Sequence, residues 1–62
     1  MEFMIIDLKK LKAVGKRDGN IVLTDRANEF IKFTNEQEAK SVVDMFPEEL
    51  DVFKVKEDHD EN

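Results

Sequence analysis

Between Asn35 and Pro47 the chain carries the one stretch whose period allows a single reading, and the other segments have to be arranged around it. Ala39, Val42, Val43 and Phe46 fall at i, i+3, i+4 and i+7, which puts one apolar stripe along a helix. Glu36, Glu38, Lys40, Ser41 and Asp44 occupy the other positions. Thr34 or Asn35 can cap the free N–H groups of the first turn, with Gln37 or Glu38 three residues on as in a capping box. Two glutamates in that turn suit the positive end of the helix dipole. Pro47 lacks an N–H and disfavours a helical residue before it, so the helix is expected to end near Met45 or Phe46.

The segments on either side alternate with period two, as strands do. In residues 29–34, Ile31 and Phe33 share a face opposite Phe30 and Lys32. In residues 51–55, Phe53 and Val55 share a face opposite Val52 and Lys54. The expected core therefore sets the helix stripe over Phe33, Phe53 and Val55. About 16 residues separate the two segments, enough for a β-α-β crossover, so a parallel pair is possible and an antiparallel placement stays open.

Earlier in the chain, residues 11–25 read as a hairpin. Asp18-Gly19 is the pair that a tight turn with positive φ prefers. Leu11, Ala13 and Val14 belong to the outgoing strand, and Ile21, Val22 and Leu23 to the returning one. Asp25-Arg26-Ala27-Asn28 makes the next turn. Residues 2–12 admit two readings. Phe3-Met4-Ile5-Ile6 is a short apolar run that favours a strand, while Met4, Leu8 and Leu11 at i, i+4 and i+7 would also fit a helix. The strand reading is preferred, because the run is β-rich and no cap precedes it. The fold class expected is α+β: a small three- to four-stranded, mainly antiparallel sheet with one helix packed on one face, in the order β-β-β-α-β.

Sixty-two residues make one domain, expected over residues 1–56, with residues 57–62 as a flexible acidic tail. A domain this small buries only about 60% of its unfolded surface. With no cysteine there is no disulfide staple and no thiolate metal site. Association is a common remedy at this size, so a homo-oligomer, most simply a homodimer, is expected. No apolar run approaches the ~18 residues of a membrane span. The run from Phe3 to Ile6 is also too short for a signal-peptide core, and a cytoplasmic location is the expectation.

Charge is distributed unevenly. Residues 1–32 hold seven Lys/Arg against five Asp/Glu, and residues 33–62 three against ten, for a net charge of −5 overall. That balance argues against a general nucleic-acid surface. The basic segment Lys9, Lys10, Lys12, Lys16 and Arg17 has no aromatic residue beside it for base stacking, so it reads first as a solvated face. Contact with an acidic protein or with the chain's own acidic half, or nucleic-acid binding through the segment from Lys9 to Arg17, are the alternatives. The acids of the second half serve first to keep a helix face wet, yet they also make a negative field that steers association with a basic surface. Glu36, Glu38, Glu48 and Glu49 are the expected partner-binding residues. Phe30 and Val52, taken to lie opposite the core, would add an apolar anchor.

No catalytic site is expected. The single histidine, His59, lies in the tail between Asp58 and Asp60, where no ordered backbone would hold a metal, and Ser41 has no base in view. Asp18-Gly19-Asn20 lacks the spacing and closing glutamate of a calcium loop. Neither a metal nor a cofactor is called for. The layout of hairpin, strand, acidic helix and closing strand resembles short phage-encoded proteins that bind and block a host enzyme. The resemblance is one of architecture and charge. It implies a phage or mobile-element origin and an inhibitory role. The function expected is thus a small, acidic, non-enzymatic interaction protein that binds and modulates a partner with a basic surface. A nucleic-acid module and a purely structural homodimer are the rivals.

Overall fold

The computed structural model describes residues 1–55, arranged as β1 (Glu2–Asp7), β2 (Lys12–Arg17), β3 (Asn20–Thr24), a 3-10 turn (Ala27–Glu29), α1 (Glu36–Val43) and β4 (Asp51–Val55). The strands form a four-stranded sheet in the order β3-β2-β1-β4, each ladder antiparallel, and α1 packs across β1 and β4. This is the α+β architecture the patterning implies. Residues 2–7 are strand, which removes the helical reading of that stretch. Residues 56–62, including the Asp58-His59-Asp60 triplet and the expected tail, lie outside the described residues.

The β2–β3 hairpin is encoded locally. Asp18 and Gly19 have φ of 53° and 80°, the paired left-handed conformation of a two-residue turn whose twist matches its strands. Arg17 and Asn20 close it, and the register runs to Ala13 opposite Thr24. Leu11, read as strand, instead ends the β1–β2 loop at φ 56° and is 76% exposed. The loop is held by Asp7, whose buried carboxylate accepts the N–H groups of Lys9 (3.0 Å) and Lys10 (3.1 Å). Those local bonds fix where β1 turns back, one residue later than alternation in residues 11–14 implies.

β1 and β2 pair only at that loop, Ile6 with Ala13 and Asp7 with Lys12. Beyond it they part, and the segment expected as a strand over residues 29–34 fills the gap. It is not a regular strand. Phe30 makes one bridge to Gly15 of β2, and Ile31 N–H donates to the Val14 carbonyl at 3.2 Å. Phe33 then exchanges both backbone bonds with Phe3 of β1, at 2.7 and 2.8 Å. Passing from one strand to the other leaves it no straight run in which a ladder can form, although the N–H groups of Phe30, Ile31 and Phe33 each find a backbone carbonyl.

Phe33 and β4 are both antiparallel to β1, one on each side of it, so they run parallel to each other with α1 crossing over β1. The crossover allowed by the spacing is present, with β1 inserted between its two ends. Asn35 is the cap: its side-chain oxygen accepts from the N–H groups of Gln37 (2.8 Å) and Glu38 (3.2 Å). The helix ends at Val43, earlier than Pro47 alone predicts. Met45 and Phe46 then donate three residues back, to Val42 (2.9 Å) and Val43 (3.1 Å), a tightened last turn that still delivers Phe46 to the core.

The core is Phe3, Ile5, Val14, Phe33, Ala39 and Leu50, with Val42, Val43, Phe46, Val52, Ile21, Leu23 and Ile31 packed around it. Each fully buried aliphatic side chain such as Ile5 or Val14 contributes roughly 1.5–3 kcal/mol. The parity of β4 is the reverse of the expected one. Val52 lies opposite Ile5 and faces α1, whereas Phe53 lies opposite Met4 on the other face, 40% exposed, and Val55 follows it. Leu50 decides this: it is buried just before the strand, and residues two apart share a face, so Val52 follows it inward.

Candidate functional site

Two surfaces remain once the core is closed: the helix layer, and the outer face of the sheet. They lie on opposite sides of β1 and β4, so a flat partner surface cannot touch both.

On the helix layer the four acids expected to bind a partner stand at the two ends of α1. Phe33 pairs with Phe3 at the start of β1 and Asp51 pairs with Ile6 near its end, so α1 runs along β1 between them. Eight helical residues span about 12 Å. Glu36 and Glu38 are exposed in the first turn; Glu48 and Glu49 follow the other end. Glu36 lies 3.7 Å from Lys40 in an exposed i,i+4 pair, worth at most about 0.5 kcal/mol. Glu48 is half-buried: one carboxylate oxygen is 3.6 Å from the Lys10 ammonium, and the other is shielded without a hydrogen-bond partner. It ties the segment before β4 to the β1–β2 loop, while Glu49 stays exposed. Ser41, mid-helix, donates to the Gln37 carbonyl at 3.1 Å. An open depression of about 430 Å³ lies against Asn35, Glu36, Gln37 and Lys40, but the N–H groups of Gln37 and Glu38 there are already capped.

The outer face divides in two. Over β2 and β3 it is polar and closed. Arg17 grips Glu29 with two parallel bonds, 2.9 Å from Nε and 2.8 Å from Nη2. The buried Thr24 hydroxyl donates to the same carboxylate at 2.6 Å and accepts from Arg17 (3.2 Å) and the Arg26 N–H (3.0 Å). Hydrogen bonds from Arg17, then from Thr24, hold the Glu29 carboxyl down at about 2. The same carboxylate raises the Arg17 pKa further. Gly15 lies beneath: a Cβ there would come within 2.5 Å of the Glu29 carbonyl oxygen and 2.7 Å of the Thr24 methyl, so only glycine lets the 3-10 turn settle on β2. Arg17 is thereby removed from the basic segment. Lys9 and Lys10 sit in the β1–β2 loop, Lys12 at the start of β2 and Lys16 near its far end, so the cluster is divided along a strand about 17 Å long.

Over β1 and β4 the outer face is apolar with acidic corners. The cross-strand pairs on it are Met4 with Phe53, Glu2 with Val55 and Ile6 with Asp51. Of the exposed large apolar residues among the described ones, Met1, Leu8, Leu11, Met45 and Phe53, only Phe53 lies on a strand. Phe30 belongs to this side of the sheet, as expected, whereas Val52 belongs to the core. Phe53 is the surface residue that patterning placed wrongly. Its signal was that both faces of residues 51–55 carry apolar residues, Val52 on one and Phe53 with Val55 on the other.

Among the described residues no group of three or more His, Asp or Glu is placed to hold a metal ion, and no helix is long and apolar enough to cross a membrane. No protein-family model matches the chain, and neither a curated protein nor a solved structure does.

Proposed function

We propose that this chain is a non-enzymatic interaction protein that binds a protein partner with a basic surface and modulates it by occupying that surface. The observation that carries the reading is the outer face of β1 and β4, where Met4 and Phe53 lie side by side between the carboxylates of Glu2 and Asp51. An aromatic residue beside a methionine supplies the apolar centre that sets how long a complex lasts. Acids at the corners favour lysines and arginines around the matching patch. The acids Glu36, Glu38, Glu48 and Glu49 act differently, since most of them lie on the helix layer away from that centre. They contribute to the field of a chain of net charge −5 and accelerate encounter without needing contact.

The two roles separate kinetically. With a partner captured from the source cells, reversing Glu36 and Glu38 to Lys slows association and flattens its salt dependence. Phe53→Ala speeds dissociation and leaves association alone. If the charge-reversed variant associates at the wild-type rate at low salt, and Phe53→Ala dissociates no faster, the reading is wrong.

A further inference from the structure

We propose that a second copy of this chain pairs antiparallel along the open edge of β4, about a two-fold axis through Phe53, joining two sheets into one of eight strands. The backbone phase of the edge leads to this. Phe3 spends both of its backbone groups on Phe33, so the Phe3–Lys54 pair in the β1–β4 ladder is a non-hydrogen-bonded one. By alternation Phe53 exchanges its bonds with Met4, and the N–H and C=O of Val52 and Lys54 point away from β1. Those four groups lie along the sheet's edge, unclaimed by any described strand.

An antiparallel two-fold pairing must match outward-pointing residues and keep like faces together. Three registers do so within β4. Centring on Lys54 sets two ammonium groups opposite each other, which is repulsive. Centring on Val52 sets Asp51 against Phe53 of the second copy. Centring on Phe53 pairs Val52 with Lys54 twice, giving four backbone bonds, and puts the two phenylalanines in the closely spaced, non-hydrogen-bonded position where aromatic pairs gain most. Lys54 is the kind of edge residue that discourages indiscriminate pairing; in this register its stem lies along Val52 of the second copy and its charge stays in water. The other open edge, β3, has no comparable anchor, because its outer side is occupied by the Arg17–Glu29–Thr24 network.

Sedimentation equilibrium of the purified chain tests this with no other protein present, so its result is independent of the partner reading. The average mass is expected to rise from 7.3 kDa toward twice that value between about 10 µM and 1 mM, the range in which a contact this small associates. Lys54→Pro removes an N–H that the β1–β4 ladder does not use, and Phe53→Glu sets two carboxylates on the axis. Both variants are expected to stay at 7.3 kDa across that range with an unchanged far-ultraviolet circular dichroism spectrum. A wild-type mass that stays at one chain up to about 1 mM overturns the proposal. So does a dimer that persists in both folded variants.

Discussion

Gly15→Ala is the substitution that most directly tests how the middle of this sheet is closed. The added methyl would stand 2.5 Å from the Glu29 carbonyl oxygen, 2.9 Å from its carbon and 2.7 Å from the Thr24 Cγ2. Two of those three atoms are backbone, so no side-chain rotation relieves the clash; the 3-10 turn must lift off β2. Overpacking of that kind costs about 1–3 kcal/mol, and lifting the turn also loosens the bonds of Arg17 and Thr24 to Glu29. Against this, alanine restricts the unfolded chain and recovers roughly 0.5–1 kcal/mol. The net expectation is a loss of about 2 kcal/mol. For 62 residues the unfolding entropy is about 0.13 kcal/mol/K, so the melting temperature falls by roughly 15 °C. Thermal and urea melts followed by circular dichroism measure it. Adding Thr24→Ser removes the 2.7 Å contact but not the other two, so it restores less than half of the loss. Gly19→Ala is the control: nothing lies within 4 Å of the point its methyl would occupy, and only its φ of 80° resists, at about 1 kcal/mol. A Gly15→Ala variant within about 0.5 kcal/mol of wild type would mean that Glu29 does not rest on β2, and the account of the split sheet would fail.

Three further outcomes are expected. Ile5→Ala, at a fully buried position, destabilises by about 2–5 kcal/mol, whereas Phe53→Ala costs under about 1 kcal/mol; urea titrations that reverse this order would put Phe53 back into the core. The Glu29 pKa is lowered from 4.5 to about 2, so its contribution is complete above about 4.5 and fades as pH falls through 2; Glu29→Gln flattens this part of the acid unfolding profile, and an unchanged profile would deny the Arg17 contact. Asn35→Ala removes the acceptor for two helix N–H groups and lowers stability by about 1 kcal/mol, read from the urea midpoint at constant slope.

Local rules sufficed where the determinant lies within a few residues. The Asp18-Gly19 turn, the Asn35 cap and the apolar stripe of α1 each depend on neighbours in sequence, and each stands where its residues imply. The placement of the candidate site depended on longer range. Alternation in residues 51–55 defines two faces but not which one is inward, because Val52 and the Phe53–Val55 pair both qualify for burial. Leu50, buried before the strand, and Ile5, opposite Val52, settled it and turned Phe53 outward. Likewise the stretch from Phe30 to Phe33 has the composition of a strand, yet its shape is set by β1 and β2 parting around it. Glu48 is one acid among many in the chain, and only the approach of Lys10 from another loop makes it an internal tie. Period and capping are properties of a segment, while facing, strand partnership and ion pairing are properties of the space between segments, which the folded chain alone defines.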